Sequence, residues 1–433
     1  MPQPHETFIR AVREQIREHL QWNHAASDAE LMERIEEAVF QGTVDQGLEW
    51  TSAKLHEMIQ LVYHSFRGMD VLQPLLDNPE VTEIMVNSDC EIFVEQAGRI
   101  QPHEGRFESR EKLEDLIQSI VAKVNRVVNE ANPIVDARLP DGSRVHVVLP
   151  PVALKGPTVT IRKFPGEPLR MENLIAKGAL HEEADQLLRQ LVRAKYNIFI
   201  SGGTGSGKTT FLNALCGYIP NDERVITIED SAELQLTSVP NWVRLETRNA
   251  NTEGKGHISI RELIRSSLRM RPNRIIVGEV RGAEALDMLM AMNTGHEGSL
   301  STGHANSVID MLSRLESMVL SGTELPLAVV RKQIASAVDI WVHLSRYRDG
   351  SRKVAEITEM AGLENGDYRL NPLYRFENQG ENEDGGIAGR LQSTGQVMQR
   401  RQKLIQAGIA EGGEALENDS RSGQIVEETM GQA

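Results

Sequence analysis

The sequence predicts an α/β protein: a domain with a mainly parallel sheet, preceded by a smaller α+β domain and by a helical N-terminal extension. Three observations support this prediction. After residue 171, apolar strands alternate with helical segments, an arrangement typical of a parallel sheet covered by helices on both faces. Between residues 74 and 164, short alternating strands surround a single helix. Before residue 70, only helical periodicity is found.

Composition limits the class of protein. The 433 residues are enough for two or three domains, and 25% charged residues suit a soluble protein. The net charge of −15 argues against stable nucleic-acid binding, which usually needs a basic surface. No apolar run reaches the roughly 18 residues of a membrane span, and the N-terminus lacks a signal-peptide pattern. Cys90 and Cys216 are too few for a disulfide or metal framework, so we expect reduced thiols in a cytoplasmic protein.

Five parts are predicted along the chain. The helical extension covers residues 1–70, and the α+β domain covers residues 71–164. Residues 165–172 are expected to form a linker. The domain with the parallel sheet covers residues 173–377, and residues 378–433 form a polar, acidic tail that we expect to be partly disordered.

Local patterns predict the elements of the first two parts. A helix in the extension is indicated by apolar side chains spaced four apart: Leu31, Ile35 and Val39. In the α+β domain, EIMVN and EIFVEQ alternate as strands do, and a helix is expected from Glu111 to Glu130. The stretch ARLPDGSRVHVVLP predicts a hairpin that turns at Asp141–Gly142, and TVTIRKF predicts the next strand.

A phosphate-binding loop is the most specific motif. The segment Gly202–Thr209 matches G-x-x-x-x-G-K-[ST] completely, and it lies between a predicted strand and a predicted helix, as the motif requires. Its glycines allow consecutive backbone N–H groups to turn toward phosphates, and the helix N-terminus adds partial positive charge. We therefore expect nucleotide contacts from Gly202, Gly203, Thr204, Gly205, Ser206, Gly207, Lys208, Thr209 and Thr210. Lys208 should reach the β and γ phosphates, and the Thr209 hydroxyl should ligate Mg²⁺.

Two apolar strands end in acids, one at Glu229 and Asp230 and the other at Glu279. Ligands of open α/β sheets lie beyond the carboxyl ends of the strands, so both acidic ends could face the phosphates. Glu279 is the better candidate to orient or deprotonate the attacking water. Glu229 is better placed to hold Mg²⁺ through its waters, with Asp230 as the alternate. The competing interpretations are a turn cap at Asp230 and a simple salt bridge between Glu279 and Arg281.

Two histidines follow glycines on either side of a short apolar strand. His296 and His304 are expected at the same edge of the sheet, where they could sense the phosphates. The alternative for each is ordinary packing.

Arginines of the α+β domain could supply further positive charge, which phosphoryl transfer needs on the γ-phosphate. Strand alternation places Arg144 and Arg162 on polar faces. A strict two-residue turn at Asp141–Gly142 would instead pair Arg138 with Val145 and put Arg138 on the apolar side. The alternative for these arginines is a solvated strand face.

Taken together, the segments GGTGSGKTT, ITIEDSAELQL and RIIVGEVRGAEALDMLMAMNTGHEGSLSTGHANS resemble the type II/IV secretion ATPase superfamily. The similarity covers about residues 71–400 and is strongest to the CpaF/TadA branch, the motors of Tad (Flp) pili, and next to the VirB11-like ATPases of conjugation machines. The resemblance implies a RecA-like P-loop ATPase domain that uses ATP and Mg²⁺. It also implies Glu279 as the catalytic acid and Arg144 and Arg162 as residues that reach the nucleotide.

The same resemblance implies a homohexamer beneath inner-membrane platform proteins, and hence a cytoplasmic protein peripheral to the membrane. Two positions depart from the branch: Asn273 replaces an aspartate, and Gly303 replaces a larger residue. Asn273 is expected to lie away from the phosphates, whereas Gly303 is expected to loosen the position of His304. Three alternatives remain: a conjugation-type ATPase, a scaffold that binds ATP without turnover, and a DNA translocase. The intact Glu279 argues against the scaffold, and the acidic charge argues against the translocase.

Overall fold

The computed structural model describes residues 4–20, 27–96, 98–124, 126–164, 166, 168–250, 255–382 and 385–409. The chain divides into two compact units, Met1–Glu167 and Pro168–Ala433. The division falls inside residues 165–172, where the sequence predicts a linker.

Three helices open the first unit: α1 (Pro4–Leu20), α2 (Asp28–Asp45) and α3 (Ser52–Arg67). Helix α2 begins with a capping box, in which the Ser27 side chain accepts from the Glu30 N–H and the Glu30 carboxylate accepts from the Ser27 N–H. The three residues spaced four apart in the sequence are buried on one face of α2, against residues of α1 and α3 that include Phe8 and Met58. None of the described helices is long and apolar enough to cross a membrane.

The rest of the first unit is a six-stranded antiparallel sheet with the strand order β3-β2-β1-β6-β5-β4. Its elements are α4 (Gln73–Asp77), β1 (Val81–Ser88), β2 (Glu91–Gln96), β3 (Arg99–His103), α5 (Arg110–Lys123), β4 (Ile134–Arg138), β5 (Arg144–Val148) and β6 (Thr158–Arg162). Helix α5 ends at Lys123, earlier than the predicted end at Glu130. Its apolar face covers the sheet through Leu113, Ile117 and Ile120.

The predicted register of the β4–β5 hairpin is wrong by one residue. Arg138 pairs with Arg144 rather than with Val145, because the connection contains five residues and the Leu139 N–H donates to the Ser143 carbonyl at 2.9 Å. A one-residue shift moves a side chain to the other face of a sheet. Arg138 therefore shares a face with Arg144, and Arg144 in turn pairs with Arg162 on β6. We call Arg138, Arg144 and Arg162 the arginine row.

The second unit contains one nine-stranded sheet with helices on both faces. Its elements are α6 (Met171–Ala176), α7 (Glu182–Arg193), β7 (Ile198–Gly202), α8 (Lys208–Cys216), β8 (Val225–Glu229), β9 (Trp242–Glu246), α9 (Ile260–Ser267), β10 (Arg274–Val277), α10 (Glu284–Asn293), β11 (Leu300–His304), α11 (Val308–Ser321), α12 (Leu327–Ala337), β12 (Ile340–Arg346), β13 (Arg352–Glu364), β14 (Asp367–Glu381), β15 (Ile387–Ser393) and α13 (Gln402–Gln406).

The sheet is mixed, with a parallel part and an antiparallel part. Its order is β15-β14-β13-β12-β7-β11-β10-β8-β9, and the six strands from β12 to β9 are parallel. Strands β13 to β15 add an antiparallel meander at one edge. The folded unit thus continues beyond residue 377, because β14 ends at Glu381 and β15 and α13 follow. Residues 410–433 of the predicted tail lie outside the described residues.

Alternation along β7 builds a core on each face of the sheet. Ile198 and Ile200 pack in one cluster with α7 and α8, whereas Phe199 packs in the other with α10, α11 and α12. With both faces covered, the polar ends of the strands are the places where a ligand can reach the sheet. The carboxyl ends of β7, β8, β10 and β11 lie side by side at one end of the strands. The acids predicted from the sequence follow two of these strands, β8 and β10.

Candidate nucleotide-binding site

The phosphate loop connects β7 with α8 and is shaped by its glycines. Gly205 and Gly207 have φ angles of +70° and +91°, in the left-handed region that favours glycine. A Cβ at Gly202 would lie 2.5 Å from both the Leu344 carbonyl oxygen and the Ser206 Oγ, so only glycine fits there. Helix α8 begins at Lys208, directly after the loop. The predicted strand–loop–helix context is present, and it leaves a backbone cradle that suits phosphate oxygens.

Lys208 is buried inside this loop. Its Nζ donates to the carbonyls of Gly202 and Gly203 at 3.1 and 2.9 Å, and it lies 3.2 Å from His304 Nδ1. Burial lowers the pKa of Lys208, and the carboxylate of Glu279 opposes that effect. The ammonium therefore stands between the loop and the end of β11. Thr209 and Thr210 follow in the first turn of α8, where both are partly exposed.

Glu279 follows β10 and reaches the same place. One carboxylate oxygen, Oε2, accepts from Arg281 at 2.8 Å. The other, Oε1, lies 3.0 Å from His304 Nε2, but the two are not aligned as a hydrogen bond, and Oε1 is buried without a donor among the described residues. Glu279 therefore forms the salt bridge to Arg281, while Oε1 has the position of a group that still needs a donor.

Burial, and then the nearby Lys208 ammonium, lower the pKa of His304. A neutral ring accepts from Lys208 through Nδ1, so its proton is on Nε2, facing Glu279. Beside these groups is a cavity of about 340 Å³, lined by Thr204, Glu279, Val280, Arg281, His304 and Arg314. Thr204 of the phosphate loop, the predicted acid Glu279 and His304 therefore line one cavity.

Glu229 is almost fully buried at the end of β8, with 3% of its surface exposed. Its Oε1 accepts from the N–H groups of Glu233 and Leu234 at 2.8 and 3.1 Å, while Oε2 has no donor among the described residues. Burial is the main cause that raises the pKa of this carboxyl group. A Cβ at Gly278 would lie 2.9 Å from the Glu229 Cγ. The glycine before Glu279 is therefore required by the packing of Glu229.

Asp230 is bound mainly by Arg281, whose NH1 lies 3.3 Å from Asp230 Oδ2. Thr247 also donates to the Asp230 carbonyl at 3.1 Å. Arg281 thus bridges Asp230 and Glu279, the acids that follow two paired strands. Asp230 is exposed and already paired with Arg281. Glu229 is therefore the stronger candidate of the two for the acid that would hold Mg²⁺.

His296 does not belong to this site. Strand β11 starts at Leu300 beside Ile198, and it ends at His304 beside Gly202. His296 precedes the strand, so it lies at the opposite edge of the sheet, one strand length from the loop. There its carbonyl accepts from Ser299 Oγ at 2.7 Å. The prediction that both histidines share an edge is wrong, because a strand of five residues separates them.

Asn273 lies at that same far edge, where its Oδ1 accepts from the Arg224 N–H at 2.7 Å, in agreement with the prediction. Gly303 differs from expectation. A Cβ at this position would meet Met311 Sδ at 2.8 Å and Phe199 Cε1 at 3.1 Å. Met311 is fully buried and fills the space that a larger residue would take, so the glycine does not leave His304 loosely packed.

A magnesium ion fits this site only together with phosphate. Within the described ranges, no three His, Cys, Asp or Glu side chains are grouped closely enough to hold a metal ion. Mg²⁺ is usually bound by one or two carboxylates plus substrate phosphates and water. The Thr209 hydroxyl and two buried carboxylate oxygens that have no donor among the described residues, Glu229 Oε2 and Glu279 Oε1, are ligand oxygens of that kind.

Four arginines lie around the loop. One of them, Arg281, was named from the sequence only as a partner of Glu279, and the other three were not identified from the sequence. Arg281 and Arg314 line the cavity, and Arg352 donates to the Gly205 carbonyl at 2.8 Å. Arg346 lies beside the same glycine. Only Arg281 had a sequence signal, its proximity to Glu279. The others come from α11 and from the β12–β13 hairpin, which the sheet topology brings to the loop.

Residues 66–411 match the family described as Type II/IV secretion system protein. The chain is 34% identical over 312 residues to the conjugal transfer protein TrbB of Rhizobium radiobacter, covering 71% of this chain and 92% of that protein. It is also 34% identical over 318 residues to the type IV secretion system protein VirB11 of Brucella suis, covering 67% and 88%.

Among solved structures, the pilus retraction motor PilT with bound ADP aligns with a TM-score of 0.50 and 21% identity. That alignment covers 70% of this chain and 82% of PilT. At this level of identity the likeness concerns the fold alone.

The packing of Gly303 generates a stability prediction. Replacing Gly303 with alanine puts a methyl group against Met311, and such overpacking costs about 1–3 kcal/mol. Met311→Ala alone should destabilise the unit by leaving a cavity. The double variant should lose clearly less than the sum of the two, because each change relieves the defect of the other. Urea unfolding monitored through the buried Trp341, which packs on Phe199, measures the three values. Strictly additive losses would contradict the assigned contact.

Proposed function

The chain belongs to the type II/IV secretion system protein family, and from this premise we propose that it is the ATP-hydrolysing motor of a pilus-assembly or secretion machine. One observation carries the proposal. Glu279 lines the same cavity as Thr204 of the phosphate loop, and its buried Oε1, which has no donor among the described residues, lies 3.0 Å from a histidine that contacts Lys208. A group that can orient water thus accompanies a loop that can hold a triphosphate.

In the proposed reaction, the loop glycines and Lys208 bind the β and γ phosphates of ATP. Glu279 Oε1 accepts a hydrogen bond from a water molecule, orients it toward the γ-phosphorus and can take its proton. Neutral His304 lies between Lys208 and Glu279 and fixes the distance between them. Loss of the γ-phosphate would therefore change the electrostatic environment of both side chains. When bound, Mg²⁺ would supply positive charge that offsets the charge developing on the phosphates. Thr209 and, through water, Glu229 and Glu279 would hold it.

The arginine row would supply additional positive charge to the terminal phosphate. Arg144 and Arg162 are proposed for this role by family resemblance, and the register of the sheet adds Arg138. Three guanidinium groups on one face of neighbouring strands suit binding of a phosphate, because each guanidinium can donate two parallel hydrogen bonds to phosphate oxygens.

For the assembly, we propose a homohexamer in the cytoplasm that is held at the membrane by inner-membrane platform proteins. The sequence motifs favour a Tad (Flp) pilus motor of the CpaF/TadA branch. The conjugation-type ATPase is the second candidate, because TrbB and VirB11 are among the similar proteins.

Copurification distinguishes these two machines. The Glu279→Gln protein, captured from its own cells in ATP, should retain platform proteins encoded with a pilin. Retention of a conjugation-channel complex instead would select the second candidate.

The central prediction concerns Glu279→Gln. Glutamine can still hydrogen-bond to water but cannot take a proton, so the rate of ATP hydrolysis should fall by a factor of about 10² to 10⁴. Binding of Mg-ATP should change little because the phosphate loop is untouched. Phosphate release and equilibrium nucleotide binding measure the two effects. A matched control is Glu297→Gln, whose exposed carboxylate lies beyond the far edge of the sheet and pairs with Lys403.

Glu229→Gln separates the roles of the two acids. Its amide oxygen can replace Oε1 as the acceptor for the Glu233 and Leu234 N–H groups, so the fold should survive. Oε2, which has no donor among the described residues, becomes an amide nitrogen in this variant. The Mg²⁺ concentration that gives half-maximal hydrolysis should therefore rise. If Glu279→Gln instead hydrolyses ATP at nearly the parent rate while Glu229→Gln is inactive, the two acids have swapped roles.

The arginine row generates a separate prediction. Arg138→Ala, Arg144→Ala and Arg162→Ala should each reduce turnover at least about tenfold while retaining ATP binding, because charge on the γ-phosphate is lost and the loop contacts remain. Arg99→Ala is the matched control, since it removes an exposed arginine from the far edge strand of the same sheet. Normal turnover in Arg138→Ala, with loss in the other two, would limit the role to Arg144 and Arg162.

A further inference from the structure

The β12–β13 hairpin flanks the phosphate loop on the side opposite the acids. Strand β7 lies between β11 and β12, so Gly202 has His304 beside it on one strand and Leu344 on the other. Strand β12 continues two residues beyond Leu344 to Arg346, which pairs with Arg352 at the start of β13. Two arginines therefore stand at the hairpin end of β12 and β13, next to the loop, and β12 is the neighbour of β7.

Both guanidinium groups reach the same glycine. Arg352 Nε donates to the Gly205 carbonyl at 2.8 Å, which leaves its other N–H groups at an exposed position. Arg346 NH1 lies 3.2 Å from where a Cβ of Gly205 would be. In the part of the chain that the structure describes, no hydrogen bond or ion pair engages Arg346. The loop thus has cationic donors on the outer side of its bend.

The turn of this hairpin is held by hydrogen bonds and a ring contact, which fix the backbone between the two arginines. Asp349 accepts from the Ser351 N–H and hydroxyl at 2.9 and 2.7 Å, and from the Ile387 N–H of β15 at 2.7 Å. These hydrogen bonds, the one from Ile387 foremost, lower the pKa of Asp349 to about 2. The Tyr347 ring packs on Phe376 with centroids 5.2 Å apart. Arg348, in the same turn, pairs with Glu381 of β14 instead of contacting the phosphate loop.

The positions of the acids and of the α8 N-terminus determine which part of a nucleotide would contact the hairpin. Glu279 and His304 stand on the β10–β11 side, so the γ-phosphate must face that side. The β-phosphate belongs at the N-terminus of α8, inside the loop. A nucleotide with this orientation extends its α-phosphate and nucleoside toward β12. We propose that Arg346 and Arg352 bind the α-phosphate and nucleoside end of the nucleotide.

This inference rests on the proposed nucleotide site and deepens it. The α-phosphate and nucleoside are the same in ATP and ADP, and they change little during hydrolysis. Contacts to them stabilise substrate, transition state and product alike, so they affect affinity and KM but not kcat. The arginine pair would therefore hold the nucleotide through the whole cycle, while Lys208 and Glu279 respond to the γ-phosphate.

The test compares Arg346→Ala with Arg348→Ala in the full chain. Both variants remove an exposed arginine from one turn, but only Arg346 faces the loop. Equilibrium binding of fluorescent ADP and of the non-hydrolysable analogue AMP-PNP is measured first, and kcat and KM for ATP second. We expect Arg346→Ala to weaken both ligands equally, by about tenfold for one lost charge-assisted contact. KM should rise with kcat unchanged, and Arg348→Ala should match the parent.

Four results would overturn the inference. They are unchanged affinity in Arg346→Ala, a loss confined to AMP-PNP, a fall in kcat at saturating ATP, and an equal loss in Arg348→Ala. The second and third results would place Arg346 at the γ-phosphate, and the last would indicate a general effect of charge. Because ADP binding needs no hydrolysis, a chain that binds nucleotide without turnover would refute the proposed motor and still answer this question.

Discussion

The parallel pairing of β7 with β11 and β12 is the constraint on which the rest of the site depends. It puts Gly202 between His304 and Leu344, in a register that packs Ile198 and Ile200 in one core and Phe199 in the other. A shift by one residue would exchange the cores that these side chains enter and move the loop away from the acids. Burial of the strands, which stabilises the domain, therefore also sets the distance between the loop and the acids at the neighbouring strand ends.

Charge in the site is arranged as a continuous chain of polar contacts. Lys208 meets neutral His304, which faces Glu279; Arg281 then joins Glu279 to Asp230. Each acid thus has a cation or a polar hydrogen near it, and two carboxylate oxygens remain without donors among the described residues. Such oxygens are costly when buried, and a water molecule or a hydrated metal ion would satisfy them. The site is arranged for a ligand whose charges complete this chain.

Each unit contributes its own groups to the proposed chemistry. The second unit holds the phosphate loop and the acids, whereas the first presents the arginine row, three like charges on neighbouring strands. Hydrolysis changes only the terminal phosphate, so contacts at the nucleoside end, such as those proposed for Arg346, would keep the product bound after the γ-phosphate has left.

The sequence by itself determined the features that depend on neighbours in the chain. The match at Gly202–Thr209 established the loop, because its chemistry needs a fixed local spacing. The four-residue spacing of Leu31, Ile35 and Val39 established a helix, and strand ends located Glu229 and Glu279. These inferences hold because periodicity and turn chemistry are short-range.

Features that depend on contacts distant in sequence were decided only by the tertiary structure. A five-residue connection moved Arg138 to the face of Arg144, and the direction of β11 separated His296 from His304. Met311 fills the space beside Gly303 from a helix that follows it, and the order of the strands brings Arg346 to a loop about 140 residues earlier in the chain. Register and strand order arise from burial over the whole sheet, so no local pattern specifies them.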